Sequence, residues 1–141
     1  MPRSEPRPSA RALALKLALV LALALAACFA TRGPSPARIL VRNSSGADVR
    51  LVVLQEVPQA GAASVRMGSV APALRGATQV IDRPAGAPPL PAEVELRWTL
   101  ASGEQRSQRL SLAELAGPAD GRGLVFELLP DGTARVSIAS P

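Results

Sequence analysis

Few side chains in this sequence are equipped for chemistry, and the most reactive stands at residue 28. Cys28 is the only thiol in the chain, and histidine and tyrosine are absent altogether. A serine or cysteine nucleophile needs a base to take its proton, usually a histidine, so nucleophilic catalysis has no partner here. Zinc sites draw on Cys and His and are equally unsupported. A carboxylate-only calcium site needs a clustered acidic loop, whereas Asp120-Gly121 and Asp131-Gly132 are isolated acids that turns explain. Glu93 and Glu95 would lie about 7 Å apart on one strand face, a spacing that a glycosidase pair can use. Arg97 shares their face, and an acid/base pair needs a cleft that raises one pKa, so a solvated face is the better reading.

Three other motifs have bland explanations. Trp98 is either a binding platform or a core anchor, and its phase with Val94, Leu96 and Leu100 favours the core. Asn43-Ser44-Ser45 matches the glycosylation acceptor pattern but sits where a turn is expected. Gly121-Arg122-Gly123 lacks the lysine and the following helix of a phosphate loop. No catalytic residue, metal ligand or cofactor site is expected, and the chain reads as a non-enzyme.

The elements that position Cys28 are more informative. Arg3, Arg7, Arg11 and Lys16 form a basic start, opposed only by Glu5, and Leu17 to Ala27 is a run of eleven apolar residues. As a helix such a run rises about 16 Å, roughly half the ~30 Å hydrocarbon core. That is short for a permanent span and fits an export leader, with small residues before the cut. The basic residues orient it, because Lys and Arg resist translocation.

Leu25-Ala26-Ala27-Cys28 resembles the lipobox of bacterial lipoprotein precursors, over the first 28 residues. The resemblance implies a diacylglyceryl group on the Cys28 thiol, cleavage between Ala27 and Cys28, and acylation (palmitate, for instance) of the new amino terminus. In that class an aspartate after the cysteine favours retention in the inner membrane. Phe29 stands there instead, so the outer membrane, facing the periplasm, is the expected address. Other readings are a buried unmodified cysteine, an uncleaved anchor over 12–30 with Lys16 snorkelling, or a plain secretory signal cut near Ala27. Charge, run length, tetrad and cysteine agree on the lipobox. Two acyl chains or more give stable attachment where one is marginal.

From Cys28 onward the chain carries twelve arginines against ten acids, and Lys16, in the leader, is the only lysine. A net charge of +2 with interspersed acids is no nucleic-acid footprint. The sole cysteine allows no internal disulfide, and the core must be built mainly from Val, Leu, Ile and Ala. Phe29 to Ala37, with Pro34 and Pro36, reads as a flexible tether of nine residues, about 30 Å when extended.

Beyond residue 38 the pattern alternates. Ile39 and Val41, then Val49, Leu51 and Val53, suggest a hairpin across Ser44-Ser45-Gly46, with Val41 opposite Val49 and Ile39 opposite Leu51. The same arithmetic puts Val94 opposite Leu110 across Ala101-Ser102-Gly103. It also puts Leu124, Phe126 and Leu128 opposite Ile138, Val136 and Ala134 across Pro130-Asp131-Gly132. Short strands are expected within 64–70 and 76–81, a crossover loop at the proline-rich 83–91, and one helical turn at 112–115.

The expected organisation is a helical signal peptide over 1–27, a lipidated cysteine and tether over 28–37, and a β-domain over 38–141. That domain is expected to be all-β, a small immunoglobulin- or transthyretin-like sandwich of seven or eight short antiparallel strands. The expected function is a lipid-anchored cell-envelope module, structural or protein-binding, with edge strands as contact sites for an envelope protein partner. The alternative is a small-ligand or lipid-binding module using the space between the sheets or the loop over 84–91.

Overall fold

The structure is a computed structural model that describes residues 14–22, 33–57, 60–83 and 86–140. The chain divides into two compact units, Met1–Thr31 and Arg32–Pro141. In the first, residues 14–22 are helical, with Leu15, Leu17, Leu19, Val20 and Leu21 exposed. No helix among the described residues is long and apolar enough to cross a membrane.

The described residues of the second unit form eight strands: β1 (Arg38–Asn43), β2 (Val49–Glu56), β3 (Arg66–Val70), β4 (Thr78–Ile81), β5 (Glu93–Leu100), β6 (Gln105–Ser111), β7 (Gly123–Leu128) and β8 (Ala134–Ile138). They form two four-stranded sheets, ordered β4-β1-β7-β8 and β3-β2-β5-β6. Ile39, Val41, Leu124, Phe126 and Leu128 from the first sheet share one buried core with Val52, Leu54, Val94, Leu96 and Trp98 from the second. The architecture is therefore all-β, with the alternating apolar positions turned toward a common interior.

Two of the expected hairpins form in the expected register. Val94 faces Leu110, and Gly103 takes a positive φ of 94°. Leu124 faces Ile138, Phe126 faces Val136 and Leu128 faces Ala134, with Gly132 at φ 83°. The strands at 66–70 and 78–81, and the 3-10 turn Ala113–Leu115, also fall where the sequence places them.

The first hairpin does not form. β1 lies between β4 and β7, and β2 between β3 and β5, so neither has a free edge for the other. Ser44-Ser45-Gly46 instead carries the chain from one sheet to the other. Inward residues that meet side by side and inward residues that meet across a core have the same alternation, which is why the pattern misled. The pairing of β1 with β7 is parallel, the exception to the expected antiparallel strands, and is open to these two because the chain visits the other sheet between them.

Leu51 and Val53 also depart from the expected inward face. A β-bulge between Val49 and Leu51 shifts the register of β2 on β5, so Val49 points into the core while Leu51 and Val53 lie on the opposite face. Val52 and Leu54 take the inward positions, each at 0% exposure.

The expected tether is docked over its second half. The Gly33 N–H donates to Leu90 O (2.9 Å), Leu90 N–H to Pro34 O (2.9 Å), and Ala37 N–H to Arg122 O (2.8 Å). Ser35 N–H donates to the Asp120 carboxylate (2.6 Å), and Gly121 N–H returns to Ser35 O (3.0 Å). The donors are residues 33, 35 and 37; the intervening Pro34 and Pro36 have no N–H to satisfy. Proline thus marks the silent positions of an ordered segment here. A Cβ on Gly33 would collide with the Leu90 and Pro91 backbone, so the close approach needs glycine.

Candidate interaction surfaces

Ala27 and Cys28, the residues expected to be cut and lipidated, lie outside the described residues. Trp98 is 3% exposed and part of the core. Glu95 accepts a hydrogen bond from Gln55 Nε2 (2.6 Å) and stands 4.0 Å from Arg97 Nε, on the outer face of its sheet. Asn43 is fully buried: its Nδ2 donates to Ala47 O (2.8 Å) and Ala73 O (2.7 Å), and its Oδ1 accepts from Ser45 Oγ (2.6 Å). Its amide is committed to holding the sheet-to-sheet crossover. Gly121-Arg122-Gly123 pins residues 35–37, through Gly121 N–H to Ser35 O and Ala37 N–H to Arg122 O.

Two surfaces stand out whose location the sequence does not give. The first lies along β8. Ala139 N–H donates to Gly123 O (2.8 Å) and Leu129 N–H to Thr133 O (2.8 Å), so the odd-numbered residues of this strand face β7. The even-numbered ones, Ala134, Val136 and Ile138, turn their backbone groups away from the sheet. At Ala134 the Gln108 side chain fills that edge, accepting from the Ala134 N–H (2.6 Å) and donating to its carbonyl (2.9 Å). Beyond it the edge borders a groove of about 260 Å³ lined by Ser111, Glu114, Leu115 and Val136.

The second surface is a groove of about 370 Å³ on the outer face of β3-β2-β5-β6. Leu51 and Val53 form an apolar floor, with Gln55, Arg66, Arg97, Thr99, Gln105 and Ser107 around it. The ligand space expected between the sheets is occupied by the core, where Phe126, Ile39, Leu54 and Leu96 are all fully buried. The opposite edges of the sandwich meet tightly: the Ile81 Cγ2 methyl occupies the space that a Cβ on Gly68 would need.

On the outer face of the other sheet, Glu127 is 8% exposed. It accepts from Ser44 Oγ (2.7 Å) and pairs with Arg135 (Nη2 to Oε2, 2.7 Å). The Ser44 hydroxyl and then the Arg135 guanidinium hold its carboxyl below the usual carboxylate range, against a smaller opposing effect of burial. Among the described residues no group of three or more His, Cys, Asp or Glu side chains is arranged to hold a metal ion.

No protein-family model matches the chain, and no curated protein matches it in sequence. Among solved structures, the NMR structure of a protein from Eubacterium rectale is similar over 74% of this chain and 88% of its own, at 17% identity and a TM-score of 0.38.

Proposed function

We propose that this chain is a lipid-anchored protein of the bacterial cell envelope, whose non-enzymatic sandwich serves as a structural or protein-interaction module. In this reading Cys28 carries the diacylglyceryl anchor and the domain stands at the outer membrane, facing the periplasm. We read the two crossing-connected sheets as an immunoglobulin- or transthyretin-like sandwich.

The observation that carries the interaction reading is the β8 edge. Val136 and Ile138 turn backbone donors and acceptors away from β7, beside the groove at Leu115. An extended partner segment can add there as a further strand, gaining main-chain hydrogen bonds and placing a side chain against Leu115. The neighbouring position, Ala134, is already closed by Gln108, so the open stretch is short and its register is defined.

Two experiments test the parts separately. Cys28→Ser is expected to abolish labelling by a radioactive fatty acid and to release the domain or leave the leader uncut; unchanged labelling would remove the anchor from the reading. Val136→Pro deletes an outward N–H and leaves the β7 ladder intact. Crosslinking in membranes is expected to recover one stoichiometric protein with the native chain and to lose it with Val136→Pro. Recovery of no partner from the native chain at good yield, or equal recovery with the variant, would defeat the edge reading.

A further inference from the structure

We infer that the outer groove of the β3-β2-β5-β6 sheet binds a phosphate group, held between Arg66 and Arg97. The site is separate from the β8 edge, and its existence does not depend on lipidation of Cys28.

Two irregularities in adjacent strands build this groove. The bulge after Val49 places Leu51 and Val53 on the outer face, whereas an unbroken alternation from Val49 would turn both inward. The second lies in β3, where Leu54 faces Gly68 but Gln55 faces Arg66, leaving Met67 as an extra residue that packs on the core. Without it the alternation from Val70 would drive the Arg66 guanidinium into the apolar interior. Each bulge interrupts the ladder locally, and both re-aim side chains toward one place, as bulges beside functional sites do.

Arg66 and Arg97 both line the groove, and the carboxylate beside them, Glu95, accepts from the lining Gln55. Arg75, Arg106 and Arg135 have carboxylate partners at 3.2, 2.7 and 2.7 Å. Among the described residues Arg66 makes no ion pair, and Arg97 meets Glu95 only at 4.0 Å, with that carboxylate already accepting from Gln55. The two guanidinium forks are therefore left with donors to offer.

Register brings them within joint reach of one anion. Arg97 faces Val53 and Ser107, and Arg66 faces Gln55 on the next outward rung. Arg66 and Arg97 flank β2, about 10 Å apart across the sheet and about 7 Å along it, and both line the groove floored by Leu51 and Val53. Guanidinium forks match phosphate bidentately, and the Thr99 and Ser107 hydroxyls and the Gln105 amide extend the donor set beyond what two carboxylate oxygens use. Leu51 and Val53 supply an apolar bed for the carbon part of a phosphate ester.

Such a group belongs either to a soluble phosphate ester or to an anionic lipid headgroup. A lipid on Cys28 would bring the second source near. Only residues 29–32 separate Cys28 from Gly33, and four extended residues reach about 13 Å. Gly33 binds Leu90, shortly before β5 begins, and the Arg66 rung crosses β5 near that same end.

The test follows the Arg Nε–Hε resonances of the full chain in neutral maltoside micelles. Inorganic phosphate is titrated first, and phosphatidylglycerol is then added to the micelles, with detergent alone as control. Saturable shifts at Arg66 and Arg97, exceeding those at exposed Arg50 and Arg109, are expected. Arg66→Gln and Arg97→Gln should each weaken binding about tenfold, the loss of one charge-assisted hydrogen bond, and an unchanged amide spectrum verifies their fold. A response to inorganic phosphate supports the site with a soluble ester as its ligand, and a response to phosphatidylglycerol alone supports it with a headgroup. No response to either probe, or equal shifts at all exposed arginines, overturns the inference.

Discussion

The side-chain amide of Gln108 pairs with both backbone polar groups of Ala134, donating to its carbonyl at 2.9 Å and accepting from its N–H at 2.6 Å. One glutamine on β6 of the second sheet thus stands in for a peptide unit at the edge of β8 in the first. The two sheets have no backbone ladder between them at this side, and Ala134 is 5% exposed. A buried peptide with no partner there would carry a desolvation cost. The same contact blunts one end of an edge strand and leaves the stretch beyond it open.

Gln108→Ala is accordingly expected to destabilise the domain by about 2 kcal/mol, since two backbone groups lose their partner. Gln108→Glu keeps the acceptor but removes the donor, setting a carboxylate against the Ala134 carbonyl, and should cost more at neutral pH. Urea denaturation measures both, and hydrogen exchange at the Ala134 amide should accelerate in each variant. Unchanged exchange in Gln108→Ala would show that another group serves Ala134.

The opposite side closes by shape. The Ile81 Cγ2 methyl sits where a Cβ on Gly68 would be, so Gly68→Ala overpacks a site between β3 and β4 and should cost about 1–3 kcal/mol. Adding Ile81→Ala vacates the space. The double variant should then be more stable than the sum of the two single losses, a coupling that a denaturation cycle reads directly. Strict additivity would mean that the backbone, not the Ile81 side chain, limits the approach.

Glu127 gives the fold an acid-sensitive contact. Its carboxyl is held below the usual range by Ser44 and then by Arg135. A depressed carboxylate contributes stability above its unfolded pKa, about 4.3, and loses that contribution as pH falls through the lower folded value. Stability followed from neutral pH downward should therefore fall more steeply below about pH 4.3 in the native chain than in Glu127→Gln. Asp131, held down mainly by the Thr133 hydroxyl, accounts for part of the slope that remains. Parallel acid limbs in the two chains would show that the Ser44 and Arg135 contacts contribute nothing to pH-dependent stability.

Local periodicity carried much of this fold because a hairpin is a local object. Leu124 to Ile138 and Val94 to Leu110 were legible from alternation plus one glycine at the last loop position. Whether β1 turns back on itself or crosses over is not local: it depends on β7, far along the chain, already lying beside β1. Pro34 and Pro36 read as breakers because their missing N–H groups are visible in sequence, while the partners of Gly33, Ser35 and Ala37 near Leu90 and Asp120 are not. The groove was hidden for a related reason. Arg50 and Met67 look like ordinary strand residues, and only the pairing register reveals that each is one residue too many.

That register makes a sharp prediction about deletion. Removing Arg50 joins inward Val49 to outward Leu51, and removing Met67 joins outward Arg66 to inward Gly68, so in each case every remaining side chain keeps its face. Removing Val53 instead joins inward Val52 to inward Leu54 and forces one half of β2 to the wrong side. The Arg50 deletion should therefore fold with a loss of about 1–2 kcal/mol, within the range of ordinary single changes. The Met67 deletion should cost somewhat more, through lost packing on the core, and the Val53 deletion should abolish the cooperative transition. Circular dichroism through urea denaturation separates the three. A folded Val53 deletion, or an unfolded Arg50 deletion, would show that the faces of β2 are set by something other than these bulges.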